Sequence, residues 1–221
     1  MLGMAPAESG STTPTVTVRG YAAVRAEPDE ALLWVNLTAL KNTSGAALSD
    51  VAARSNGLTD LLDALGVAQA DRVTTGVTVG EEFDHTQTGR RFLGHRARSS
   101  VAVRLTDPEV VGRLITQATD KLAAQIDGPD WRIAPDNRVW LEAARQAAAN
   151  GRRKAEAYAD GVGARLGRLL ELTEPGTAPI RVARAAYAAM AAPPPGDSMP
   201  VEAGEHEAAA SIQVTFALEL A

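Results

Sequence analysis

Histidine is the side chain best suited to acid–base work and metal ligation near neutral pH, and the chain carries three: His85, His95 and His206. They fall far apart, in a polar turn segment, at the start of a strand-like run and in a loop-like region. His206-Glu207 opens like a zinc metalloprotease helix, but Ala210 stands where the second histidine has to be, so one ligand is missing. Glu81, Glu82, Asp84 and His85 crowd one short stretch and could hold a hard cation through their oxygens. A solvated acidic turn accounts for the same residues without a ligand. Cysteine is absent, which excludes disulfides, thiol nucleophiles and cysteine-ligated metals.

Other chemical signatures fail on spacing. Gly161-Val162-Gly163-Ala164-Arg165-Leu166-Gly167 has its third glycine one residue late for a dinucleotide loop, and it follows a helical pattern where that loop follows a strand. It reads as a helix C-cap. No G-x-S-x-G elbow and no P-loop lysine occurs, so no cofactor and no catalytic residue is assigned and a non-enzymatic protein is expected. Arg96, Arg98 and Arg104 share one strand face, but only Phe92 lies near to stack on a base, so a polar face, exposed or paired with acids, is the simpler reading. Arg152-Arg153-Lys154, with Glu156 nearby, reads as a solvated helix face.

The elements that would position these residues follow from periodicity. Thr15 to Val18 alternates at period two, Gly20 interrupts it and Pro28-Asp29 turns it, which predicts a strand with a bulge at Gly20. Ala31 to Ala39 alternates again, with Leu33, Val35 and Leu37 on one face, so the two strands are expected to form a long antiparallel hairpin. From Ser44, the residues Leu48, Val51, Ala52, Leu58, Leu62 and Leu65 make a helical stripe that Gly66 stops. Arg72 to Phe83 and Phe92 to Leu105 form a second hairpin. Asp107-Pro108-Glu109 caps a second helix through Leu122. A short strand within Ala124 to Ile133 carries Trp131. Pro135-Asp136 opens a third helix with the stripe Trp140, Ala144, Ala147, Gly151, Ala155, Tyr158 and Val162, stopped by Gly163. Arg168 to Thr173 and Ser211 to Leu220 are strands. The order predicts an α+β fold, a mainly antiparallel sheet with helices packed on one side.

Residues 1–13 read as a disordered lead-in and 14–221 as one domain. Within it, residues 174–210 are rich in Ala and Pro and include Pro193-Pro194-Pro195, which predicts a mobile insertion. Arg181 to Ala192 there suits a short helix bearing Tyr187 and Met190, candidate anchors for docking on a second copy. A net charge of −5 and a pI near 5.3 argue against nucleic acid as a partner. No run of about 18 apolar residues marks a transmembrane helix. The segment MLGMAPAESGSTTP has neither a basic nor an apolar leader region, so the sequence as numbered reads as cytoplasmic.

Four ordered segments are similar to the SIMPL domain family, also called DUF541. Val18 through Ala31, with Gly20, Val24, Ala26, Pro28-Asp29 and Ala31, resembles its opening G-x-G-x-V-x-A-x-P-D-x-A. Gly94-His95-Arg96-Ala97 through Val101 and Val103 resembles its G-Y-R-A-x-x-x-V-x-V strand, with His95 in place of tyrosine. Lys154-Ala155 through Gly163, Leu166-Gly167 and Leu172 resembles its helix-to-strand segment. Val201 to Glu205 resembles its closing P-G-E, with Ala203 in place of proline. The resemblance covers residues 14–220 and implies a SIMPL-type α+β fold, bacterial export to the periplasm or surface, and self-assembly in some members. Relatives so implied include immunogenic periplasmic proteins, proteins tied to oxidative-stress tolerance and an animal kinase-interacting protein. The family supplies no catalytic residue to carry across.

Three functions are therefore weighed. The first is a non-enzymatic, self-associating binding protein of the envelope or of stress tolerance, its partner a second copy of itself. The second is an enzyme of unrecognised type using Glu81, Glu82, Asp84 and His85. The third is an adaptor presenting its basic strand to an acidic protein.

Overall fold

The computed structural model describes residues 14–86, 89–175 and 199–220, with side chains unassigned at 85 and 86. In chain order the elements are β1 (Thr15–Ala26), β2 (Glu30–Lys41), α1 (Ser44–Ala64), β3 (Arg72–Thr86), β4 (Gly89–Leu105), α2 (Pro108–Leu122), β5 (Gln125–Arg132), α3 (Val139–Gly161), β6 (Ala164–Thr173) and β7 (His206–Leu220). The fold is α+β, as the alternation of periods predicts, but the strands make two antiparallel sheets rather than one. Each sheet belongs to its own compact unit.

The first unit takes residues 14–26, 135–175 and 206–220. Its sheet runs β1-β7-β6, with α3 against one face. The expected β1–β2 hairpin is not formed: β1 pairs with β7 along its whole length, from Thr15↔Ala217 to Ala26↔His206. The register is continuous, so Gly20 is not a bulge. It is glycine because a Cβ there would lie 2.1 Å from the Ala147 carbonyl oxygen and 2.8 Å from the Gly151 nitrogen of α3. The helix answers with small residues: Ala143, Ala147, Gly151, Ala155 and Ala159 are its buried stripe. Of the stripe expected from sequence, Ala144, Tyr158 and Val162 are exposed instead, because an i, i+4 row fits this close backbone approach and a wider apolar face does not. Val18, Ile212, Val214 and Phe216 complete this core.

The second unit takes residues 27–134 and 199–205. Its sheet runs β3-β4-β2-β5, and α1 and α2 cover the face that carries Leu33, Val35, Leu37, Val103 and Leu105. Both helices start on a side-chain cap, the second of them the one expected at Asp107. Thr43 accepts from the Ala46 amide, and Asp107 accepts from the Glu109 amide at 2.8 Å. Gly66, at φ +78°, ends α1 with the Gly66 amide on Asp63 O and the Val67 amide on Leu62 O, a Schellman pair. Leu48 and Ala52 of the expected α1 stripe face solvent; Ala47 and Leu61 take their places.

Of the insertion expected over 174–210, residues 206–210 are strand and pair with Ala22 to Ala26. Before them, Val201 and Ala203 pack on the second core and the Met199 amide donates to Thr116 Oγ1. Tyr187, Met190 and the helix expected over Arg181 to Ala192 lie outside the described residues, as do residues 1–13.

Candidate functional site

β3 and β4 are longer than β2, whose pairing with β4 ends at Lys41↔His95. Beyond that point they continue as a two-stranded ribbon from Glu81↔His95 to Thr86↔Gly89. Of the segment expected to be a turn, Asp84 to Gly89, the residues Asp84 to Thr86 and Gly89 are therefore strand. Glu82 forms an ion pair with Arg96 at 2.7 Å, while Glu81 and Asp84 are exposed. Glu81 sits opposite His95, and the next pair outward, Glu82↔Gly94, lies on the other face. His85 is placed by its backbone pairing with Arg90. Among the described residues, no three His, Asp or Glu side chains converge as a metal-ligand set.

The ribbon instead gathers aromatic and apolar groups. Phe83 and Phe92 meet edge to face at 5.4 Å, the Arg90 guanidinium sits 3.5 Å over the Phe83 ring, and His95 packs edge-on to Phe92 at 5.5 Å. Val77 and Val79 lie opposite Ser99 and Ala97, on the face that α1 covers over β2 and β4. That cover reaches the start of β3, where Arg72 donates to the Thr59 carbonyl of α1, but beyond it Val77 is 55% exposed, Val79 41% and Phe92 on β4 47%. β3 is also a sheet edge, so its outer backbone groups lack a strand partner. Two valines and a phenylalanine are thus left in water beside a free strand edge.

The basic faces are largely paired. Arg96 is held by Glu82 and Arg104 by Asp71, with Glu30 at 3.9 Å. On α3, Arg152 pairs with Glu156 and Lys154 donates to the Arg19 carbonyl. On β4, Arg98 lies between Arg96 and Arg104 in the strand and is exposed.

Two polar clusters went unseen in the sequence, the first because its members are far apart along it and the second because it joins a strand, a helix and the end of a distant helix. Ser100 donates to Asn36 Oδ1 at 2.6 Å, and Asn36 Nδ2 donates to Asp127 Oδ2 at 2.8 Å, a chain across β4, β2 and β5. The only signal was an asparagine inside a strand of leucines and valines. Its chemistry is structural: an amide oxygen is no base, so the Ser100 hydroxyl is not activated by it. The second cluster centres on Arg54 of α1, which donates to Asp50, to the Thr38 carbonyl and to the Leu122 carbonyl. Asp50 also accepts from Lys41 at 2.8 Å, and that ammonium holds its carboxyl below the ordinary 3.8 against partial desolvation, with Arg54 adding to the effect. Asp29 of the Pro28-Asp29 motif accepts from the Ala134 amide at 2.5 Å, while its own amide donates to Arg132 O. The motif thus fastens the start of β2 to the exit of β5.

The chain is thus an α+β protein with paired polar clusters and a partly uncovered β3–β4 ribbon. Residues 16–216 match the SIMPL family, described as a protein of unknown function (DUF541), and the chain belongs to that family. It is 28% identical over 216 residues to the 26 kDa periplasmic immunogenic protein of Brucella melitensis, covering 92% of this chain and 84% of that protein. The protein of the same name from Brucella abortus matches to the same extent. Among the described residues no helix is long and apolar enough to cross a membrane.

Proposed function

We propose that the chain is a non-enzymatic, self-associating binding protein of the bacterial envelope, and that its copies meet through the β3–β4 ribbon. The observation that carries this is the exposed apolar face of Val77, Val79 and Phe92 beside the free edge of β3. A second copy fits this edge: two β3 strands can pair through their open backbone groups while the apolar faces cover each other, an isologous contact. The periplasmic names of the Brucella relatives support the location.

Size-exclusion chromatography with light scattering on the full chain tests it. A defined multimer well above 23.1 kDa is expected, reduced to monomer mass by Val77→Lys with Phe92→Asp at unchanged circular dichroism. A clean wild-type monomer overturns the reading. If deleting residues 178–200 lowers the mass while the ribbon variant does not, the contact passes to the arm that bears Tyr187 and Met190.

A further inference from the structure

Phe83, Phe92 and His95 form a row on the ribbon, with ring centroids 5.4 and 5.5 Å apart. His95 lies two residues before Ala97, the partner of Val79, so it shares the face of Val77 and Val79. The third ring differs from the other two in kind, because an imidazole takes up a proton between about pH 5 and pH 8. Where this chain carries His95, the strand motif it resembles carries tyrosine, which stays neutral over that range.

We infer, on the reading that copies meet through the ribbon, that protonation of His95 releases this contact and makes the association pH-dependent. A second copy laid over Phe92 takes the water from the ring packed against it. A neutral imidazole tolerates this, since it already rests on a phenyl ring. An imidazolium does not, because a charge loses far more hydration than an apolar surface returns. The charged groups around it do not offset that loss. Glu81 of β3 stands opposite but is exposed to water, and His95 packs on Phe92 instead. Lys41 of β2, opposite on the other side, is a cation already bound by Asp50 of α1. Arg90 adds a second cation over Phe83, at the far end of the row. Both disfavour a further positive charge between them.

Sedimentation equilibrium on the full chain at about pH 8 and about pH 6 tests the release, the lower value charging most solvent-exposed imidazoles. Both values lie above the pI near 5.3, so the chain keeps its net negative charge. The dissociation constant is expected to rise roughly 10-fold at the lower pH, because an isologous contact sheds a proton from His95 of each copy. His95→Tyr and His95→Phe keep a ring against Phe92 and lose the titrating nitrogen, so both should associate equally at the two pH values. His85→Gln and His206→Gln should keep the wild-type response, and a response that vanishes in one of them overturns the role of His95. A wild-type dissociation constant that does not move with pH, or a loss that persists in both His95 variants, overturns the release and leaves the ribbon contact standing. A wild-type chain that is monomeric at both pH values overturns the ribbon contact, and the release with it.

Discussion

A Cβ on Gly20 would press on backbone atoms of α3 that cannot rotate aside. Gly20→Ala must therefore lift β1 off the helix, and we expect a loss of about 3 kcal/mol, at the upper end of overpacking costs, in urea unfolding followed by circular dichroism. Gly151→Ala is the control. Its added Cβ meets the Val214 Cγ2 methyl at 3.0 Å and the Gly20 backbone at an ordinary 3.5 Å, and a helical alanine gains about 1 kcal/mol over glycine, so the variant should stay within about 1 kcal/mol of wild type. Asn36→Ala leaves both Ser100 and Asp127 without their partner and should cost roughly 2 kcal/mol. At this scale the sequence is half legible. The sequence reading takes Gly20 for a bulge, which the continuous register overturns, because the atoms that require a glycine there belong to a helix far along the chain. Gly66 and Asp107 were read correctly because their reasons lie within a few residues of them.

Arg54 joins three elements by one guanidinium, since its acceptors lie on α1, β2 and the end of α2. Arg54→Lys keeps the charge but offers a point donor in place of a planar fork, and a loss of roughly 1–2 kcal/mol in thermal unfolding is expected. Asp50 beside it adds a pH dependence of known sign. Its folded pKa is depressed below 3.8, so the ion pair stabilises the fold above that value and is lost as pH falls through the folded pKa. Asp50→Asn should accordingly melt below wild type near neutral pH and converge with it in acid, once the pH lies below the folded pKa. A gap in melting temperature that persists unchanged into acid would assign the effect to packing. Helices were legible as elements because cap, stripe and stop are local signals. Strand partners were not: β1 and β2 are separated by one turn and consecutive strands usually pair, yet β1 joins the last strand of the chain. Nothing local in Thr15 to Ala26 distinguishes those two partners.

For the whole molecule, composition and period were enough for the α+β class, and the ordered motifs for the family, while the split into two sheets depended on that one distant pairing. The ribbon, too, was half legible. Its strands were read, but the bareness of Val77 and Val79 follows from where α1 ends its cover, which no pattern within β3 reports. That bareness separates two kinds of association by their response to salt. Contact through apolar side chains and strand edges is insensitive to ionic strength, whereas a basic strand presented to an acidic surface weakens as the Debye length falls from about 10 Å at 0.1 M to about 3 Å at 1 M. The described arginines argue for the first, since Arg96 and Arg104 are already neutralised by their own acids and the chain as a whole carries −5. The mass measured by light scattering should therefore hold from 0.1 M to 1 M sodium chloride. A multimer that dissolves at the higher salt would transfer the contact from Val77, Val79 and Phe92 to the charged strand face around Arg98, and the Arg98→Glu variant would then be the one to abolish it.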